Sequence, residues 1–444
     1  MRLLPHMALG LALCLLALPA LAVEVRLGPG ADLQRAIAGS APGDVLILAP
    51  GIYPGPFVID HALTLRGEAG VVLDGQGKGT VVTITGHDIT VTGLEITRSG
   101  GRGEDMDAGV KTVRGSARVL IEGNRVIDNF HGVDIHGCTD CTVRGNVIEG
   151  RQTARMNQRG NGVYVWKSPG LLVEGNDIRW GRDGIFSNTS STATYRGNLF
   201  RDLRFAVHYM YTRDSEISDN ISIGNHLGFA VMFSNNVRVT GNTSLYDRDH
   251  GLMINASNHS DFAGNLVVGA AKCTFIYDAN KNLFANNRYE GCDIGIHFTA
   301  GSEGNAVTGN AFLGNRTQVK YVGTRHIEWS YDGRGNYWSD HPAFDLNGDG
   351  YADSPFHPND LMDQILWSQP DARLLMGSPA VQLVRWSQSS FPAILPGGVV
   401  DSHPLIVAPI IAIPPDIAAL AALVGDRWLK DPNNDPHADT SMSD

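Results

Sequence analysis

Imidazole and thioether groups recur along this chain at an interval that would stack them. His208 and Met210 stand two apart, and Met232 and Met253 follow after 22 and then 21 residues. Thioether sulfur is a soft ligand suited to Cu(I), and imidazole binds copper in either oxidation state. On a β-strand, alternate side chains face opposite sides. In Phe205–Met210 the inward set is then Phe205, Val207 and Tyr209, leaving Ala206, His208 and Met210 outside. Further on, Phe229, Val231 and Phe233, then Leu252 and Ile254, point in, so Met232 and Met253 point out. Earlier, Ile135 and Val165 point in, with Asp134, His136, Tyr164 and Trp166 out. One expected outward column runs His136, Trp166, Phe186, Met210, Met232 and Met253. Beside it runs Asp134, Tyr164, Gly184, His208, Ala230 and Gly251. The plainer reading of these methionines is a packing patch, against a partner or beneath the tail. Met106 and Met156 read first as ordinary loop methionines and second as an extension of a copper path.

Two further sets carry metal or redox chemistry by type. Cys138 and Cys141 form a C-x-x-C, and Cys273 and Cys292 lie nearly one repeat apart. In an oxidising compartment two structural disulfides are preferred over copper thiolates. Asp345, Asn347, Asp349, Tyr351 and Asp353 place oxygens at alternating positions around Gly350, like the start of an EF-hand loop. The bidentate Glu expected at position 12 is replaced by Phe356, so the expectation is structural Ca²⁺ in a variant loop, or an Asp/Asn/Gly turn with no ion.

The elements that must position these groups follow from the repeat. A phrase of apolar residue, two residues, then Asn, usually with Gly before it, ends at Asn124, Asn146, Asn176, Asn198, Asn220, Asn242, Asn265, Asn287 and Asn310. The spacings are 22, 30, 22, 22, 22, 23, 22 and 23. A unit this short cannot bury its own apolar face, but stacked units close a continuous core. Gly-Asn marks a tight left-handed turn, and stacked Asn side chains form an amide ladder. The fold expected is all-β: a right-handed parallel β-helix over residues 23–333, a junction over 334–357 and a partly helical tail over 358–444. Leu33 to Ile37 reads as an amphipathic helix capping the open end. Two inserts, Gly100 to Asp107 and about eight residues between Asn146 and Asn176, should project from one corner.

At the N-terminus, Arg2, the apolar run Ala8 to Leu18 and Pro19-Ala20-Leu21-Ala22 read as a signal peptide over residues 1–22. The run is too short to span a bilayer. A formal net charge of −11 without basic runs argues against a nucleic-acid partner. In the tail, Leu361 to Trp367 and Ala380 to Trp386 read as short amphipathic helices. Leu405 to Ile413 is apolar and Pro-interrupted, which suits a membrane surface, a membrane partner, or a strap along the β-helix.

Gly335-Asn336-Tyr337-Trp338-Ser339-Asp340, then Asp345-Leu346-Asn347-Gly348-Asp349-Gly350-Tyr351-Ala352-Asp353-Ser354-Pro355-Phe356, follow the Gly-Asn coils. With Ser378-Pro379-Ala380-Val381-Gln382 in the tail, this chain resembles the NosD family of periplasmic proteins required for copper-site maturation in nitrous oxide reductase. The resemblance implies a copper-handling accessory protein rather than an enzyme. It implies as partners the inner-membrane ABC transporter subunits, a copper-chaperone lipoprotein and the reductase. The alternative is a β-helix lyase or epimerase acting on polysaccharide, for which outward Asp134, His136, Tyr164 and His208 are candidates. Fold alone does not choose between them.

Overall fold

The computed structural model describes residues 22–423 except 153–154, 300, 324, 360, 376 and 391–397. The segment expected to be a signal peptide, apart from Ala22, and the last 21 residues therefore lie outside the described residues. Three parallel sheets of 13, 12 and 13 strands run the length of the stack, each coil contributing one short strand to each. Every strand pairs with its counterpart one coil away, as in Ile121 beside Val143 and Val143 beside Val173. The inner faces form one core of aliphatic and aromatic side chains. Like stacks on like in it: Phe262 on Phe284 with ring centroids 4.9 Å apart, and Phe312 on Trp338 at 4.2 Å. Parallel strands joined only at corners cannot hold a face alone, so this shared core is what keeps the coils together.

The repeated Asn is the polar counterpart. Each backbone N–H and side-chain amide of Asn124 donates to Oδ1 of Asn146, at 3.0 and 3.1 Å, and the pattern continues coil by coil to Asn336. The preceding turn residue has positive φ, as in Gly145 at 60°. In the two repeats without glycine, Asp219 (55°) and Asn286 (53°) take that conformation, which short polar side chains tolerate best.

The open N-terminal end is covered by a helix, Leu33–Gly39, whose Asp32 side chain accepts from the Arg35 N–H at 3.0 Å. At the other end the tail divides. Its helices Leu361–Ser368 and Pro379–Ser390 form where amphipathic spacing predicts them. The strand Gly398–Val400, by contrast, pairs with His326–Glu328 and belongs to the coil stack. Asp401 is fully buried and closes the ladder, accepting from Asn336 N–H (2.7 Å) and Trp338 Nε1 (2.8 Å). A second helix-turn, Ile417–Ala422, lays Leu420 on the outer face of the third sheet beside Ile223 and Leu245. Among the described residues no helix is long and apolar enough to cross a membrane.

Candidate functional site

The outer face of the 12-stranded sheet carries the histidines and methionines, and its register corrects two expected columns. His208 stacks on Phe186 to one side and Ala230 to the other, and Ala230 in turn on Met253. Met210 stacks on Asn188 and Met232, and Met232 on Asn255. Phe186 and Met253 therefore stand in the His208 column, not the Met210 column. The coil from Met232 to Asn255 holds 23 residues where its neighbour holds 22, which shifts Met253 sideways. Gly184 and Gly251 leave the His208 column and sit at the corner before it.

That corner also reverses two side chains. Ala206 and Val207 both lie in the core, because the chain bends there. Phe205 is consequently outside, half-buried, its ring 4.8 Å from that of His208. Phe233 was expected inside but is exposed, with φ of 50°, stacked on Tyr211 at 5.2 Å. Ser234 takes the inward place after that turn.

The corrected register gathers the candidates around one small residue. Ala230, with no exposure, has His208 on the strand before, Met253 on the strand after and Met232 two residues along; Met210 lies diagonally. Strands are about 4.8 Å apart, so these side chains converge within reach of one ion. All three methionines are half-buried and His208 is buried. Its Nδ1 lies 3.3 Å from Oδ2 of Asp183, a buried carboxylate that also takes both arms of the Arg204 fork, at 2.8 and 2.7 Å. Burial alone would raise the Asp183 pKa, but the hydrogen bond from His208 and the Arg204 charge outweigh it and hold the carboxyl ionised. The Asp183 carboxylate orients the ring through Nδ1, which turns Nε2 away from it as the nitrogen a metal would meet. That nitrogen is buried and has no hydrogen-bond partner among the described residues.

Other outward residues are occupied differently. Asp134, fully buried, meets Lys111 Nζ at 3.3 Å, and its pKa is raised to about 6 by burial against the pull of that lysine. His136 stacks on Trp166 at 4.3 Å. Met156 is buried within its insert, where it packs. The two inserts do meet at one corner: Arg151 Nη2 donates to the carbonyls of Ser99 and Gly100 at 2.6 and 3.0 Å. Sequence reasoning missed Asp183 and Phe205 as neighbours of His208. Neither repeats, so periodicity gives no signal for them.

The cysteines are paired in the structure, Cys138 with Cys141 and Cys273 with Cys292, with Cα atoms 6.1 and 5.7 Å apart. In the junction loop, Asp345 accepts from the N–H groups of Gly348 (2.6 Å) and Gly350 (2.9 Å), and Asp353 from Leu346 (2.7 Å). Asn347 bonds Asp349 at 2.9 Å, and Asp349 accepts from Tyr351 N–H at 2.9 Å. The loop thus closes through its own backbone. Among the described residues, no three His, Cys, Asp or Glu side chains converge as a metal site, so the soft donor set around Ala230 rests on one imidazole plus thioethers.

Comparison with known proteins decides the family. A family described as "Periplasmic copper-binding protein (NosD)" matches residues 147–343, and one described as "Right handed beta helix region" matches 66–165. A protein of Stutzerimonas stutzeri, described as a probable ABC transporter binding protein NosD, is 40% identical over 377 residues, 82% of this chain and 86% of that one. The chain belongs to the NosD family. A Pseudomonas aeruginosa NosD of the same description is 40% identical over 82% of this chain and 88% of its own. NosD proteins are periplasmic by the family's description, which places this chain in that compartment. Solved structures share only the β-helix with this NosD chain. An exopolygalacturonase of Yersinia enterocolitica superposes with a TM-score of 0.54 at 12% identity, covering 68% of this chain and 77% of that one. The surface adhesin PfbA of Streptococcus pneumoniae gives 0.51 at 11%, covering 69% and 87%.

Proposed function

We propose that this protein is a non-enzymatic copper-handling accessory protein that docks on an inner-membrane ABC transporter and helps to assemble the copper centres of nitrous oxide reductase. The observation that carries the reading is the open Nε2 of His208 among Met210, Met232 and Met253, around Ala230. One imidazole oriented by a carboxylate, with thioethers, suits Cu(I) in transit: soft enough to select it, without the thiolate that would hold it fast. Copper is here cargo, received from a chaperone lipoprotein and passed on. The tail supports docking through exposed Leu374, Leu383, Trp386 and Ile410, apolar groups that a free solenoid has no use for. Association of the same tail with the membrane surface belongs to this reading.

The lyase or epimerase reading is weaker on this face. Its buried carboxyls, Asp134 and Asp183, each answer to a cation, Lys111 and Arg204, rather than to each other. For copper, the test is competition titration with a Cu(I) chelator. His208→Ala should weaken binding about tenfold or more, and Met232→Leu or Met253→Leu by less, with thermal stability kept. Unchanged affinity in all three would leave this face a packing surface.

The loop Asp345, Asn347, Asp349, Tyr351 and Asp353 is proposed to take up Ca²⁺, exchanging its backbone hydrogen bonds for the ion. Protein purified without chelator should then contain about one calcium per chain and lose thermal stability on EDTA treatment. Calcium-free protein in calcium-containing buffer would show a plain turn.

A further inference from the structure

Beside the histidine and methionine cluster, the two inserts wall a cavity of about 260 Å³. Its floor is a row of rings: Phe130, His131, Tyr164 and Phe186, with successive centroids 4.8, 5.5 and 5.6 Å apart. Arg182 and Asp183 stand at its edge. The charges there do not balance. Asp183 is shared between the Arg204 fork and His208, while the Arg182 guanidinium has no hydrogen bond or salt bridge to the rest of the described protein. A guanidinium without a hydrogen-bonded carboxylate thus stands at the edge of an aromatic-lined cavity.

The neutral donors complete the picture. His131 Nδ1 accepts from the Asn161 N–H at 2.9 Å, so the proton of the neutral ring is on Nε2. Burial, then the charges of Lys111 and Arg182, hold its pKa down to about 4, so the ring is neutral near pH 7. Within the cavity, then, lie a forked cation, an imidazole N–H and the Tyr164 hydroxyl, with flat apolar surface between them. A guanidinium fork matches a carboxylate in two parallel hydrogen bonds, and ring faces suit the apolar side of a small ring or chain. The volume lies below the usual range for drug-sized ligands.

We propose that this cavity binds a small organic carboxylate, its carboxyl group on Arg182 and its body against Tyr164 and Phe186. The site is separate from the copper reading and stands whether or not the methionines bind metal.

Isothermal titration calorimetry of the full mature chain tests it, with D-galacturonate and citrate as probes and D-galactose as the neutral control. The expected result is saturable binding of at least one acid and none of galactose. Preference for galacturonate assigns the floor to a sugar-acid ring; preference for citrate assigns it to a short polycarboxylate. Arg182→Ala should weaken binding roughly ten- to a hundredfold, the range of a charged hydrogen-bond pair, and Arg182→Lys should restore part of it. Arg182 is exposed, so neither variant endangers the fold. No saturable binding of either acid, or equal binding by wild type and Arg182→Ala, would overturn the proposal.

Discussion

His208 is held on one ring nitrogen and open on the other, so its neighbours can be altered without touching it. Ala230→Leu keeps every donor atom but fills the place they surround. It should abolish Cu(I) binding if one ion sits there, and leave it intact if each methionine binds alone. Met253→Leu should weaken binding at least as much as Met210→Leu, because Met253 flanks Ala230 directly and Met210 only diagonally. The residue types were legible in the sequence; the neighbours were not. A single extra residue in the coil after Met232 moves Met253 from one column to the next, and a corner bend turns Phe205 outward. Both are local departures from strict alternation that no period reports. Asp247 is a second residue whose setting only the structure reveals. It is fully buried, accepts from Asn225 N–H (2.8 Å) and Ser244 (2.6 Å), and forms no salt bridge among the described residues. Burial raises its pKa from 3.8 to about 7. Between those values the folded chain keeps a proton that the unfolded chain has released, so this group makes stability fall as pH rises through that window. Asp247→Asn should flatten that dependence and raise Tm at pH 8. The amide fits, since Asn225 fills the equivalent place one coil earlier. Melting curves from pH 4 to 8 check it, and parallel profiles for the two proteins would count against a protonated Asp247.

Among elements, the asparagine ladder and its stopper illustrate what repetition does and does not disclose. Nine Asn phrases, seven of them Gly-Asn, at near-constant spacing expose the ladder in the sequence, because each rung must solve the same hydrogen-bonding problem. The stopper, Asp401, is 65 residues beyond Asn336 and repeats nothing. A carboxylate suits the last rung: it accepts from Asn336 and Trp338 and has no amide that would need a further acceptor. Asp401→Ala would leave both donors buried and unpaired, at a cost of about 1–3 kcal/mol each. Thermal or urea unfolding should register that loss, and a variant as stable as wild type would mean that water replaces the cap. The same contact redraws the tail. Residues 358–444 read in sequence as one docking segment, yet the strand Gly398–Val400 and Asp401 complete the last coil. A chain ending just before residue 398 should therefore lose stability even though it keeps the helices Leu361–Ser368 and Pro379–Ser390.

At the scale of the whole molecule, the stack of coils presents the two regions on which the proposed function rests: one sheet face with soft donors, and a tail with exposed apolar side chains. The architecture was readable from the 22-residue period, since few folds other than a solenoid satisfy it. The division of labour was only partly readable, because the tail's buried and exposed portions have similar composition. Separating them calls for substitutions rather than truncation. Leu374→Asp with Leu383→Asp should leave the melting temperature unchanged and abolish recovery of transporter subunits from solubilised inner membrane. Undiminished recovery would move the docking surface elsewhere. The central claim, that this face carries Cu(I) between partners, is tested most directly by X-ray absorption at the copper edge on the Cu(I)-loaded chain. The account predicts a first shell of sulfur with one imidazole nitrogen, and loss of the imidazole signal in His208→Ala. A shell of nitrogen and oxygen alone, or one unchanged in that variant, would contradict it.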